Sequence, residues 1–373
     1  MRIYLDNAAS TPLCDTVLEA MLPYLKNNYG NPSSTHQEGR TARAGIERAR
    51  KIVAQAIKAS TSEVFFTSGG TEANNTAIKC AVRDLGVQRI ISSPIEHSCV
   101  FHTVNRMRAE HIEVELVQLD STGRANLEDL ERLLKDSSKK TLVSLMHANN
   151  EIGTLNPIDK IGTLCKQYDA YFHTDTVQSI GHIPIDISKL NISFLSGSGH
   201  KLHGPKGVGF LYVNNKNLIE AYIDGGGQER QVRSGTENVA SIIGLGKAIE
   251  LAIEHLEARR IEIEAVRAYF IQELKANFPE ARINGDYAGA YLFTVLSVSF
   301  KTKTPVNILL FKLDLKGVSV SGGSACNSGA VKESRVIGTL DIPEGYHTVR
   351  FSFSHFNKKE DVDYTIAQLK EIV

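Results

Sequence analysis

VFFTSGGTEANNTAIK, residues Val64 to Lys79, decides the fold. Glu63 to Thr67 reads as a strand, and from Thr71 to Val82 apolar and small residues recur at helical spacing. Between them stand only Ser68, Gly69 and Gly70, so the strand feeds almost directly into the helix. A helix N-terminus presents unpaired N–H groups, and glycines let a ligand approach them. The junction therefore reads either as an anion cup or as a plain turn capped by Ser68 or Thr71. It is not a P-loop, because GxxxxGK[ST] occurs nowhere in the chain.

The same rhythm extends outward. Arg89–Ser92, Ile112–Val117, Thr141–Met146, Ala170–His173, Ile192–Leu195 and Val208–Val213 read as strands. Helical patterns at Cys99–Ala109, Leu127–Leu134 and Ile158–Lys166 separate them, and Ala42, Ile46, Ala49, Val53 and Ile57 mark an amphipathic helix upstream. Alternation of this kind predicts an α/β fold with a mostly parallel sheet covered by helices. Thr236 to about Phe278 reads as largely helical. Beyond it, strand-like Leu292–Phe300, Val318–Val320 and His347–Phe353, with helices near Val306–Lys312 and Asp361–Ile372, predict a smaller α+β C-terminal domain. The 373 residues exceed one ordinary core, in keeping with two domains.

With a formal net charge of +0 and no basic stripe, neither nucleic acid nor an anionic membrane is expected as a partner. No apolar run is long enough to span a bilayer, and MRIYLDNAASTP does not read as a secretory leader. Five cysteines without a CxxC pair predict neither a disulfide framework nor a zinc site, and suit a reducing cytoplasm. HxxH at His200 and His203 would need a helix to share a face, and Gly199 and Gly204-Pro205 argue against one, so no metal is expected.

Polar residues gather where the strands end. In SGSGHKLHGPKGVGFLYV, Ser196 to Val213, a glycine-rich loop presents Lys201, either a solvated lysine or an amine able to form a Schiff base. AYFHTDTVQS ends a strand with Asp175, followed by Gln178, and LMHANNEIG ends another with Asn149 and Asn150. His97 follows the strand Arg89–Ser92. Ligands of open α/β sheets sit at such carboxyl ends. An anion cup, an aspartate able to pair with a ring nitrogen, and a lysine able to hold an aldehyde together fit pyridoxal phosphate. SGGSACNSG, Ser321 to Gly329, adds Cys326 among small residues, which suits either a tight connection or a thiol that must move.

SGSGHKLHGPKG, TSGGTEANN, MHANNEIG, HTDTVQSIG, GGGQERQVRSGTEN and SGGSACNSG, with LDNAASTP and GNPSSTHQEG upstream, resemble the cysteine desulfurases in order along nearly the whole chain. These NifS/IscS-like enzymes form part of the class V aminotransferase branch of fold-type I pyridoxal-phosphate enzymes. The resemblance implies a large domain with a mostly parallel seven-stranded sheet over residues 14–255. It implies a small domain over 256–373 with 1–13, carrying the cysteine loop. By resemblance, Lys201 binds the cofactor and moves the substrate Cα proton. Asp175 pairs with the pyridine nitrogen, and His97 stacks on the ring as an acid/base group. Gln178 and Asn150 lie near the ring oxygen, with Asn150 also near the substrate carboxylate. Gly70, Thr71, Ser198 and His200 hold the phosphate, and Thr236 reaches it from a second subunit, which implies a homodimer. Arg350 binds the substrate carboxylate, a task suited to a guanidinium fork.

The resemblance also implies the reaction. Sulfur is removed from L-cysteine to give L-alanine and a Cys326 persulfide. The persulfide passes to acceptor proteins such as an iron–sulfur scaffold, or to thio-cofactor synthesis. A thiolate suits attack on sulfur near neutral pH. The loop reads Ser-Gly-Gly-Ser-Ala-Cys where many relatives read Ser-Ser-Gly-Ser-Ala-Cys, a change that loosens it and leaves the thiol in place. Cys80 and Cys165 read as core, and Cys14 and Cys99 as structural too, although Cys99 lies near His97. Alternatives are a selenocysteine lyase, another class V aminotransferase, or a cofactor-free sulfur-carrier partner. No scaffold-docking C-terminal tail is expected after the last helix.

Overall fold

The computed structural model describes residues 2–323 and 334–373. In chain order come β1 (Ile3–Tyr4), α1 (Asp15–Lys26), α2 (Gln37–Ile57), β2 (Val64–Thr67), α3 (Gly70–Leu85), β3 (Arg89–Ser92) and α4 (Ser98–Ala109). There follow β4 (Glu113–Leu116), α5 (Leu127–Leu134), β5 (Thr141–Ser144), α6 (Ile158–Gln167), β6 (Tyr171–Asp175), β7 (Phe194–Ser198) and β8 (Gly209–Val213). The rest is α7 (Val239–Glu254), α8 (Leu256–Asn277), β9 (Arg282–Asn284), β10 (Val295–Lys301), α9 (Val306–Leu315), β11 (Val318–Ser319), β12 (Tyr346–Ser352) and α10 (Lys359–Ile372).

A seven-stranded sheet runs β2-β8-β7-β6-β5-β3-β4. It is parallel except for β8, which is antiparallel to both neighbours. Strands β2, β3, β5, β7 and β8 are buried along their whole length, which is why they read as short runs without a polar face. From β3 the chain first moves outward to β4, then returns across β3 to β5. This reversal opens a crevice beyond the carboxyl ends of β3 and β5, where doubly wound sheets bind ligands.

One apolar cluster joins the sheet to α1, α2, α5, α6 and α7, and a second fills the face under α3 and α4. Helices α2 and α7 approach closely: a Cβ on Gly246 would lie 2.9 Å from the Ala49 Cβ. The helical stretch expected from Thr236 to Phe278 is two helices. Asn238 caps the first by accepting from the Ser241 N–H, so Thr236 stays outside it, and His255 separates the two.

A third cluster unites α8, α9, α10, β10 and β12 with Ile3 and Leu5. There β12-β10-β9 form an antiparallel sheet, and β1 pairs in parallel with β11. The first residues of the chain are thereby stitched to its last third.

Before α7, Glu229, Arg230 and Gln231 take left-handed φ values of 42°, 56° and 68°. Glu229 is buried there. It accepts from Arg50 at 2.7 and 2.9 Å and from the Phe66 N–H at 2.8 Å. No helix among the described residues is long and apolar enough to cross a membrane. Among the same residues no cluster of three or more His, Cys, Asp or Glu side chains is placed to hold a metal ion.

Candidate active site

A cavity of about 200 Å³ opens at the crevice. It is lined by Gly70, Thr71, His97, Asn150, Asp175, Gln178, Ser198, His200, Lys201 and Arg350, which the sequence singles out, and also by Ala8, Ala9, Asn74, Cys99, Met146 and Val177. The floor comes from the ends of β3, β5, β6 and β7, one wall from the α3 N-terminus, and the remainder from β12 and the chain's first loop.

The α3 N-terminus is shaped for a close ligand. Gly69 before it has φ 152°, and a Cβ on Gly70 would lie 2.5 Å from the Val177 Cγ2. No side chain caps the helix, so its first amides face the cavity without an internal competitor. Ser198 closes the same corner, and His200 Nδ1 lies 3.3 Å from Ser10 Oγ. Burial, aided by the charges of Lys201 and Lys206, pushes the His200 imidazole down to about 4, so it is neutral near pH 7.

Lys201 sits on a single 3₁₀ turn after β7, between β7 and β8. Its Nζ donates to the carbonyls of Ala8 at 2.6 Å and Ala9 at 2.7 Å. Gln178 Nε2 donates to the Ala8 carbonyl at 3.0 Å. Asp175, at the end of β6, accepts from the Val177 N–H at 2.9 Å and from Asn74 Nδ2 at 2.6 Å. His97 caps α4: its Nδ1 accepts from the Cys99 N–H at 3.2 Å and lies 3.0 Å from the Cys99 Sγ.

Arg350, fully buried in β12, donates to the Asn150 carbonyl at 2.9 Å and to Asp6 at 2.8 Å. Its Nε is buried with no hydrogen-bond partner among the described residues. An unpartnered guanidinium N–H beside a polar cavity suits an incoming carboxylate. Glu96 lies behind this wall with one oxygen on the Met146 N–H. Burial, with the negative charge of Asp175 adding to it, pushes the Glu96 carboxyl up to about 8. Arg335 clamps the wall from outside, donating to the carbonyls of Pro94 and Glu96, with its guanidinium 3.5 Å from the centre of the Phe101 ring.

The model of the aminotransferase class-V family matches residues 3–365. "Cysteine desulfurase IscS" of Dictyoglomus turgidum is 43% identical over 375 residues, covering 100% of this chain and 94% of that relative. The chain belongs to the cysteine desulfurase branch of the class-V aminotransferases. A solved "NIFS-LIKE PROTEIN" superimposes with a TM-score of 0.92 at 36% identity, over 100% of this chain and 99% of that one. "SspA in complex with cysteine" superimposes with a TM-score of 0.81 at 33% identity, over 96% of this chain and 100% of that one. Enzymes of this class-V branch depend on pyridoxal phosphate, and the alternative readings from the sequence are not favoured by these likenesses.

Two residues singled out from the class-V motifs stand differently. Thr236 is exposed and stands apart from the cavity, and Cys326 lies outside the described residues. Asn149, paired with Asn150 in the sequence reading, turns away. Its Nδ2 donates to the Ile95 carbonyl, and its Oδ1 accepts from the Glu151 and Ile152 amides, so it braces the loop. Cys99, read as structural, lines the cavity, whereas Cys80 and Cys165 are core. Ala8 and Ala9 escape sequence reasoning because they act through carbonyls; LDNAASTP was their only signal.

Proposed function

We propose that the protein is a pyridoxal-phosphate-dependent cysteine desulfurase that converts L-cysteine to L-alanine and leaves the sulfur as a persulfide on Cys326. The observation that carries this reading is the single cavity joining an open helix N-terminus, a carboxylate, an imidazole, an amine and a buried arginine. That donor set fits the cofactor part for part. Gly70, Thr71, Ser198 and His200 would hold the phosphate, Asp175 the ring nitrogen, and Gln178 and Asn150 the ring oxygen. His97 would cover the ring, and Lys201 would take the aldehyde. When bound, the cofactor supplies an electron sink next to the substrate Cα.

Arg350, with Asn150 beside it, binds the substrate carboxylate. Lys201 takes the proton from Cα and later returns one, the Ala8 and Ala9 carbonyls fixing where its Nζ stands. His97 exchanges protons at the substrate sulfur or at Cβ as the bond between them breaks. The Cys326 thiolate attacks that sulfur and forms the S–S bond. The electron pair of the broken C–S bond stays with carbon and is protonated to give the alanine methyl group, so atoms and electrons balance without an external oxidant.

Thr236, exposed within the GGGQERQVRSGTEN segment, would serve the phosphate of a second copy, making the working unit a homodimer. The chain divides into a large domain of residues 14–255 and a small one of 256–373 with 1–13. The separate apolar clusters and the break between α7 and α8 support that division. Persulfide sulfur passes to acceptor proteins such as an iron–sulfur scaffold, or to thio-cofactor synthesis, in the cytoplasm.

The test is release of sulfide and alanine from L-cysteine with a reductant present, beside the Cys326→Ala protein. Equal amounts of both products, lost in the variant, are expected. Absence of both products from cofactor-loaded wild type overturns the reading.

A further inference from the structure

Behind Asp175 runs a line of buried polar groups that the proposed reaction does not yet use. Ser144 at the end of β5, His173 in β6 and Asn74 on α3 are each completely buried. Ser144 Oγ lies 2.8 Å from His173 Nδ1, and His173 Nε2 lies 3.0 Å from Asn74 Oδ1. Asn74 Nδ2 lies 2.6 Å from Asp175 Oδ2. Three elements that meet only in the folded sheet supply the line, so it is built by the fold and not by a local turn.

Chemistry fixes the direction of every bond. An ionised carboxylate only accepts, so the Asn74 amide must turn its nitrogen to Asp175. That places its oxygen against His173, which must then carry a proton on Nε2. The bare Nδ1 accepts from the Ser144 hydroxyl. Each hydrogen therefore points toward Asp175, and reversing the line would require an amide flip, a tautomer change and a hydroxyl rotation together. Burial holds the His173 imidazole down to about 3, so it cannot answer by taking a second proton.

We infer that His173 and Asn74 are positioning residues of the proposed reaction, holding Asp175 as an oriented acceptor aimed into the cavity. Together with the Val177 amide, Asn74 occupies one direction at each Asp175 oxygen and fixes the plane of the carboxylate. The carboxylate cannot turn without breaking one of the two bonds. This inference rests on the reading of Asp175 as partner of the cofactor's ring nitrogen, and its test separates the two.

Long-range ¹H–¹⁵N spectra of protein labelled with ¹⁵N-histidine, with His173 assigned by its loss in His173→Gln, read the tautomer directly. A protonated Nε2 and a bare Nδ1 near pH 7.5, with or without pyridoxal phosphate, are expected. A protonated Nδ1 overturns the inference, whatever the cofactor affinity of any variant. In the second arm, pyridoxal phosphate affinity and the absorbance of the bound cofactor are compared in wild type, His173→Leu and His173→Gln, with folding checked by circular dichroism. His173→Leu should bind at least tenfold more weakly with a shifted absorbance, and His173→Gln, which keeps a donor for Asn74, should recover most of the loss. A folded His173→Leu protein with unchanged affinity and spectrum overturns the inference while leaving the desulfurase reading intact. Wild type that binds no pyridoxal phosphate overturns the desulfurase reading, whichever tautomer is found.

Discussion

Gly70 shows how much one missing methyl matters at the cavity wall. The position that its Cβ would take is 2.5 Å from a methyl of Val177, a β-branched side chain with little freedom to move aside. Gly70→Ala is therefore expected to lose about 1–3 kcal/mol of stability through overpacking. It should also weaken pyridoxal phosphate binding, because the first turn of α3 must shift. Thermal unfolding of the cofactor-free protein and a cofactor titration read the two effects separately; an unchanged pair would contradict the tight fit. Residue by residue, legibility in the sequence follows the group that acts. Lys201, Asp175 and His97 announce themselves because they are titratable side chains set among small residues or at or just past strand ends. Ala8 and Ala9 do not, since any residue supplies a carbonyl. Asn149 and Asn150 are neighbours of one type, and only the turn that buries Asn149 against Ile95 assigns them opposite tasks.

Elements were legible where burial is continuous. The buried strands of the large sheet stand out by two or three adjacent apolar residues each, as in VFF of β2, II of β3 and LV of β5, and α2 as an amphipathic period. Strands β1 and β9, of two and three residues, carry too short a pattern and exist only through distant partners such as Val318 and Val298. The left-handed run at Glu229 has no local cause either, since an isolated chain resists such a backbone. Its cause is the buried Arg50–Glu229 pair, which ties this segment to α2 and to the edge strand β2. Glu229→Ala leaves the Arg50 guanidinium, which is 3% exposed, with only the half-exposed Glu47 and the Val64 carbonyl as partners, and should cost about 3 kcal/mol. Urea unfolding reads that loss, and limited proteolysis should find new cleavage between residues 225 and 238. Wild-type stability in the variant would show that the pair does not hold the turn.

The whole molecule carries a pH signature set by its buried imidazoles. Burial lowers His147, His182, His200 and His203 to about 4, and His173 and His355 to about 3. An unfolded histidine titrates near roughly 6.5. Below that pH the unfolded chain binds more protons than the folded one, so the stability of the neutral form is present above 6.5 and lost as pH falls toward 4. His147 and His173, both buried, each withdraw about 1.4 kcal/mol per pH unit in that window. Glu96, pushed up to about 8, acts oppositely: its protonated form stabilises the fold as pH falls from 8, and Glu151 is raised in the same direction. These six histidines outweigh the two carboxyls. The urea midpoint should thus peak near pH 6.5 and fall steadily toward pH 5; a midpoint still rising at pH 5 would contradict the assignment of these histidines as neutral.

The cavity takes carbonyls from Ala8 and Ala9 near one end of the chain and a guanidinium from Arg350 near the other. During synthesis on the ribosome, the large sheet can form while that guanidinium has yet to be made. A nascent chain therefore displays the open α3 N-terminus, the lysine and the aspartate, but lacks both the arginine and the β12 pairing that buries it. The complete cavity therefore forms only once β12 has paired with β10, and any ligand that needs the guanidinium must wait for that pairing.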